Sequence, residues 1–252
     1  WEVTPGETPI DVDGERWPSI ISMRRVDLAD GVYLVRGVRT GFQHMVIDTS
    51  EGLVVGDAPA GWIEFHHLPP TDLAPGLGAD GLSKLLIEFL EQESPGRPVH
   101  AVALTHLHDD HSGGARAFHH AGANVYAATE LREFFDEAMG IETIGVDEES
   151  VIGGDANRAA VVSLGAGPHA NSMLGLWAMD AGWFFVSDIH VPRDDSPTPR
   201  AGREATECWF AKWAVANLPE DTIVVNSHSP VETPVSRLRE YLESPGCQRP
   251  LN

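Results

Sequence analysis

At 252 residues with 42% hydrophobic side chains, the chain has the length and apolar content of one sandwich-type domain with an ordinary core. Its 38 acidic and 17 basic side chains leave a net charge of −21, and Lys84 and Lys212 are its two lysines; that field repels phosphate backbones and argues against nucleic acid as a partner. No apolar run approaches the ~18 residues of a membrane span, and two cysteines, Cys208 and Cys247, exclude a disulfide framework while leaving a single bridge open.

The first 25 residues, punctuated by Pro and Gly, read as an extended arm on a single domain covering 1–252. The sequence starts at Trp1 rather than Met. A removed secretory signal, which would put the protein outside the cytoplasm, and simple trimming fit equally, so the compartment stays open. Residues 32–35, 45–48 and 53–56 read as successive strands between Gly turns, with Asp57 closing the third. Residues 59–80 are rich in Pro and Gly yet carry Trp62, Phe65, His66 and His67. Irregular connections of that length tend to be functional. The spacing of Leu82, Leu85, Leu86, Phe89 and Leu90 predicts a helix over 82–92 with one core-facing side.

Residues 105–114 read THLHDDHSGG, directly after the apolar strand 99–104. Three imidazoles and two carboxylates within six positions make a costly polar loop and a natural metal site. In extended chain alternate side chains share a face, so His106 and His108 point at one ion. A following turn swings Asp110 and His111 toward a second position. Neutral imidazole and carboxylate suit a divalent ion such as zinc, and the lack of Cys here argues against a closed structural site. Gly113 and Gly114 then let the loop approach the next helix closely. Further on, 124–127 reads as a strand and 130–139 as a helix. Strands follow at 160–164, 174–179 and 184–186. A Pro/Arg loop (194–202), a helix bearing Trp209, Phe210 and Trp213 (203–217), a strand (222–226) and a helix (231–243) complete the chain.

The H-x-H-x-D-H string at a strand end resembles the signature of the metallo-β-lactamase superfamily, over roughly residues 30–242. The resemblance implies a four-layer αββα sandwich, an α/β fold, and three further ligands in fixed order. His169 in the turn GAGPHANS, Asp188 at the end of WFFVSD and His228 at the end of TIVVNSH stand in that order. By this likeness His106, His108 and His169 hold one metal; Asp110, His111 and His228 hold the second; and Asp188 bridges both. Two divalent ions are implied, zinc first, with iron or manganese as alternatives. Asp57 is implied as a support of the metal site, and the 59–80 connection as a substrate-facing flap as readily as a self-packed surface loop.

The implied activity is hydrolysis of a small ester, lactone or amide by a metal-bridging hydroxide, with promiscuous β-lactam hydrolysis alongside. Asp110 is expected to orient the nucleophile, and His190 is retained as a catalytic candidate. Several departures set the chain apart from well-known branches. Asp188 stands where zinc β-lactamases carry Cys or Ser, and no Lys follows it, although Arg193, Arg200 or Arg203 could grip a carboxylate. No Tyr follows Asp188 as in acyl-homoserine lactonases. Iron-dependent oxidation of a thiol or persulfide by the same fold, and a non-catalytic binding domain, are the alternatives. Small-molecule substrate, no nucleic acid, no membrane and an open question of homo-oligomerisation complete the expectations.

Overall fold

The computed structural model describes residues 22–38, 41–60, 80–194, 196 and 198–248. The N-terminal arm up to residue 21 and the 61–79 stretch of the expected flap lie outside the described residues. Within them the strands form two sheets. The first runs in chain order, β1 (Arg24–Ala29), β2 (Val32–Arg36), β3 (Gln43–Thr49), β4 (Gly52–Gly56), β5 (Val99–Ala103), β6 (Asn124–Ala128) and β7 (Thr143–Val146). Its first four strands are antiparallel and β4 to β7 are parallel. The second is ordered β13 (Thr233–Pro234), β12 (Ile223–Val225), β11 (Trp183–Phe185), β10 (Met173–Ala178), β9 (Ala159–Gly165) and β8 (Glu149–Ile152).

Helices α1 (Gly81–Glu93), α2 (Asp109–Ser112), α3 (Ala115–His120) and α4 (Arg132–Met139) attach to the first sheet. The C-terminal helices are α5 (Glu204–Asn217), α6 (Val235–Glu243) and α7 (Pro245–Gln248). Three separate cores show how the layers stack. Leu82, Leu86 and Leu90 of α1 meet Phe118, Phe135 and one face of the first sheet (Val46, Val55, Val102). The other face of that sheet (Leu34, Ile47, Val54, Ala103) meets Leu174, Leu176 and Phe185 of the second sheet. The outer face of the second sheet (Phe184, Val224) meets Phe210 and Ala214 of α5 and Leu238 and Tyr241 of α6. Alternation along each strand sends neighbouring side chains into different cores, which gives the αββα sandwich that the resemblance implies.

Two strand regions were not legible as such. The charged β1 falls where the sequence reads as arm and loop, and β7 and β8, the edge strands of the first and second sheets, stand at the point where the chain passes from one sheet to the other. Their apolar residues Ile144 and Val151 are exposed, so no buried alternation marks them. The single bridge left open by composition is formed, joining Cys208 of α5 to Cys247 of α7. Among the described residues no helix is long and apolar enough to cross a membrane.

Candidate metal centre

Strand direction brings the candidate ligands to one edge. In the first sheet β4 and β5 are parallel, so Asp57 and the loop starting at Thr105 leave side by side. In the second sheet β11 and β12 are parallel and β10 runs against both β9 and β11. The chain therefore leaves β9, β11 and β12 in one direction, toward His169, Asp188 and His228. Backbone bonds tie the two edges together: Leu174 N donates to Thr105 O at 2.6 Å, and Gln43 N donates to Ser227 O at 2.9 Å. Gly56 brings the sheets close, since a Cβ there would lie 2.6 Å from Phe185 Cδ1.

The side chains gather in two groups whose ligand atoms all lie within 4.8 Å of one another: His106, His108, His169 and Asp188, and Asp110, His111 and His228. In the first, His169 Nε2 lies 3.1 Å from His106 Nε2 and 2.8 Å from Asp188 Oδ1, and His106 Nε2 lies 3.5 Å from Asp188 Oδ1. In the second, His111 Nε2 is 3.3 Å from His228 Nε2 and 3.4 Å from Asp110 Oδ2. Tetrahedral zinc with bonds of about 2.0–2.1 Å sets its ligand atoms roughly 3.3–3.5 Å apart. Three of the five spacings, 3.3, 3.4 and 3.5 Å, fit that geometry, while the His169 contacts at 3.1 and 2.8 Å are hydrogen-bond distances.

Neighbouring groups fix which nitrogen faces inward. Thr105 Oγ1 lies at hydrogen-bond distance, 3.0 Å, from His106 Nδ1, which engages that nitrogen and leaves Nε2 facing the cluster. His111 Nδ1 donates to Asp57 Oδ2 at 2.9 Å, and Ser187 Oγ lies 2.8 Å from the same nitrogen. Asp57 is fully buried and its other oxygen accepts the Thr105 N–H at 3.0 Å, which is the support the resemblance implied. Gly113 and Gly114 do permit close approach: a Cβ on Gly114 would fall 2.1 Å from Ser83 Oγ of α1 and 2.4 Å from Pro59 O. Arg203 donates to the backbone carbonyl of Asp188, so of the three arginines considered for a carboxylate grip this one instead holds the loop of a candidate ligand.

Burial and mutual charge drive the buried imidazoles of the cluster in opposite directions. Burial pushes His106 down to about 3, aided by the His111 charge. Burial also disfavours charge on His111, yet Asp110 and Asp57 on either side push that ring up to about 10, so a proton supplies the positive charge the carboxylates require. Burial would raise Asp188, but the hydrogen bond from His169 and the nearby imidazoles hold it well below the ordinary carboxylate range.

His190 is not brought to this cluster. It is fully buried in the helix-side core, stacked on Phe210 with ring centroids 5.7 Å apart and edge-on to Tyr241 at 5.5 Å. Its Nε2 lies 3.2 Å from Thr233 Oγ1. The turn after Asp188 sends it to the far side of the second sheet, which proximity in sequence did not reveal. Ser187 and Thr105, which touch the rings of His111 and His106, carry no role in the sequence reading. The signal lay in their direct adjacency to Asp188 and His106.

The family model of the Metallo-beta-lactamase superfamily matches residues 75–228. Among curated proteins none matches the chain. Similar solved structures include a metallo-beta-lactamase from Pontibacter korlensis, 15% identical with TM-score 0.64, covering 87% of this chain and 96% of that one. A metallo-beta-lactamase from Hirschia baltica is 16% identical with TM-score 0.61, covering 86% and 95%. The DIM-1 metallo-beta-lactamase is 17% identical with TM-score 0.62, covering 92% and 95%.

Proposed function

The chain belongs to the metallo-beta-lactamase superfamily, and from that premise we propose that it is a binuclear zinc hydrolase of small esters, lactones or amides, with promiscuous β-lactam hydrolysis. The observation that carries the reading is the pair of adjoining ligand groups, His106/His108/His169/Asp188 and Asp110/His111/His228. When bound, divalent cations there would lower the pKa of water and polarise the attacked carbonyl.

The chain's own residues supply the rest. Thr105 and Asp57 hold His106 and His111 in the orientation that turns Nε2 inward. Asp188, on the first group, is the residue assigned to span both. The Asp110 carboxylate, half-buried beside His111, orients the attacking water. Phe42 lies edge-on to His228 at 4.3 Å and stacks on His111 at 5.7 Å, an apolar wall that limits water access on that side. His190 has no part in these steps.

Elemental analysis of purified protein beside a panel of chromogenic ester, lactone, cephalosporin and phosphodiester substrates tests the reading. About two equivalents of zinc and turnover of an ester, lactone or amide are expected, with His108→Ala losing both activity and metal from the first group. One equivalent of iron with dioxygen uptake, or full activity in His108→Ala, would refute it.

A further inference from the structure

Beside His228 a cleft of about 250 Å³ opens between the two sheets, bordered by Arg24, Arg36, Phe42, Gln43, His228 and Ser229. The described residues lining it include no carboxylate, on a chain of net charge −21. Two arginines converging there, next to a ligand ring, therefore run against the composition of the whole surface.

Their placement follows from strand register. Arg24 of β1 and Arg36 of β2 are direct cross-strand partners, so both project from the same face of the sheet. Arg36 keeps the parity of Val32 and Leu34, which are buried between the sheets, and its guanidinium lies where that interior opens at the edge. Like charges directly opposite on adjacent strands destabilise the pair. Among the described residues neither arginine has an acidic partner.

Arg36 is nevertheless held in place. Its Nε donates to Gln43 Oε1 at 2.7 Å. Gln43 Nε2 in turn donates to Asn226 O at 2.7 Å and Ser229 O at 2.8 Å, on the segment that carries His228. One edge of the guanidinium is thus fixed relative to a candidate metal ligand, and its remaining donors have no partner among the described residues. A planar fork positioned in this way suits bidentate recognition of a carboxylate.

We propose that Arg24 and Arg36 form an anion subsite that seats a carboxylate of an acidic substrate while its scissile group reaches the cluster beyond His228. The substrate class of the hydrolase reading, on which this rests, is thereby narrowed to esters, lactones or amides with a free carboxylate. An anion between the two guanidiniums also removes the cross-strand repulsion.

Two measurements test it on the metal-loaded protein. Benzenesulfonate, an anion that ligates zinc poorly, is titrated calorimetrically into the wild type, Arg24→Glu and Arg36→Met. Arg24→Glu leaves the Gln43 bonds untouched and so guards against misfolding in Arg36→Met. Turnover of the mono-para-nitrophenyl ester of terephthalate, whose para carboxylate cannot reach its own ester, is compared with that of its methyl-capped counterpart. Binding should weaken about tenfold or more in each variant. The wild type should prefer the charged ester by about tenfold, and each variant should lose that preference. Failure of the wild type to bind benzenesulfonate, binding unchanged in Arg24→Glu, or equal turnover of both esters by the wild type would overturn the subsite. Binding that is lost in the variants while neither ester nor any lactone or amide of the substrate panel is hydrolysed would leave the anion subsite standing and overturn the hydrolase reading instead.

Discussion

Replacing Asp57 by Asn isolates the contribution of one buried carboxylate to the second metal group. Asp57 sits at φ +74°, a left-handed conformation that Asn tolerates as well as Asp, so backbone strain is unchanged. The amide oxygen can keep the Thr105 N–H bond of 3.0 Å. The amide nitrogen then faces His111 Nδ1, 2.9 Å from the present carboxylate oxygen, and two donors oppose each other. The ring escapes by moving its proton to Nε2, the atom that faces His228 and Asp110, and loses the lone pair a cation needs. The lost charge-assisted bond is worth ~1.5–3 kcal/mol, or about 10–100-fold in metal affinity. Ser187 Oγ, 2.8 Å from Nδ1, is a fallback acceptor for the present tautomer. The single variant should therefore lie near the lower figure, and the double variant with Ser187→Ala near the upper one. Competition against a chromophoric chelator, with metal content measured in parallel, reads both groups: one equivalent should weaken and the other hold within about threefold. Two equivalents bound as in the wild type, or both weakened alike, would refute the reasoning.

Burial holds His190 at about 3 in the folded protein against an ordinary 6.5. The unfolded chain takes the proton first as pH falls, so this contribution is intact above about 6.5 and drains away toward 3, by ~2 kcal/mol between pH 7 and pH 5. His190→Phe should remove that part of the acid sensitivity in urea unfolding while turnover stays within about twofold; an unchanged pH dependence, or loss of turnover, counts against its assigned place. Gly56→Ala should cost ~1–3 kcal/mol in the same assay, because the new Cβ meets Phe185 at 2.6 Å; an unshifted urea midpoint would contradict the sheet spacing. Cys247→Ser opens a link spanning 39 positions and should cost about 4 kcal/mol by loop-closure entropy, with an unchanged midpoint showing that the bridge is dispensable.

The candidate ligands stood out because His106, Asp188 and His228 each follow an apolar strand, 99–103, 183–185 and 223–225. A carboxylate or imidazole in that position stands out against its own neighbours. Asp57 could be suspected on the same ground. The parts that stayed hidden depend on contacts between elements distant in sequence. Arg24 and Arg36 have meaning only through the β1–β2 register, and a strand beginning with two arginines reads as exposed chain. Cys208 and Cys247 meet only once α5 and α7 pack. His190 misled because two residues of separation from Asp188 suggest one site, whereas the intervening turn takes the two side chains to opposite sides of a sheet.

Asp57 and Ser187 share a relation that no local pattern contains. One follows β4 of the first sheet, the other β11 of the second. Both have positive φ, +74° and +55°, at a cost of ~1 kcal/mol or more each. Glycine would relieve that strain, but it has no acceptor, and both side chains converge on the same His111 nitrogen at 2.9 and 2.8 Å. Orienting the ring therefore accounts for the strain at both positions, one from each half of the sandwich. Ser187→Gly separates the two effects. Strain relief of ~1 kcal/mol offsets a lost hydrogen bond of similar size, so the unfolding midpoint of the metal-free protein should stay level or rise. Affinity of the second group should fall several-fold because His111 is less firmly held. A midpoint that falls together with the affinity would mean that Ser187 is a structural bond alone and that its backbone conformation carries no strain.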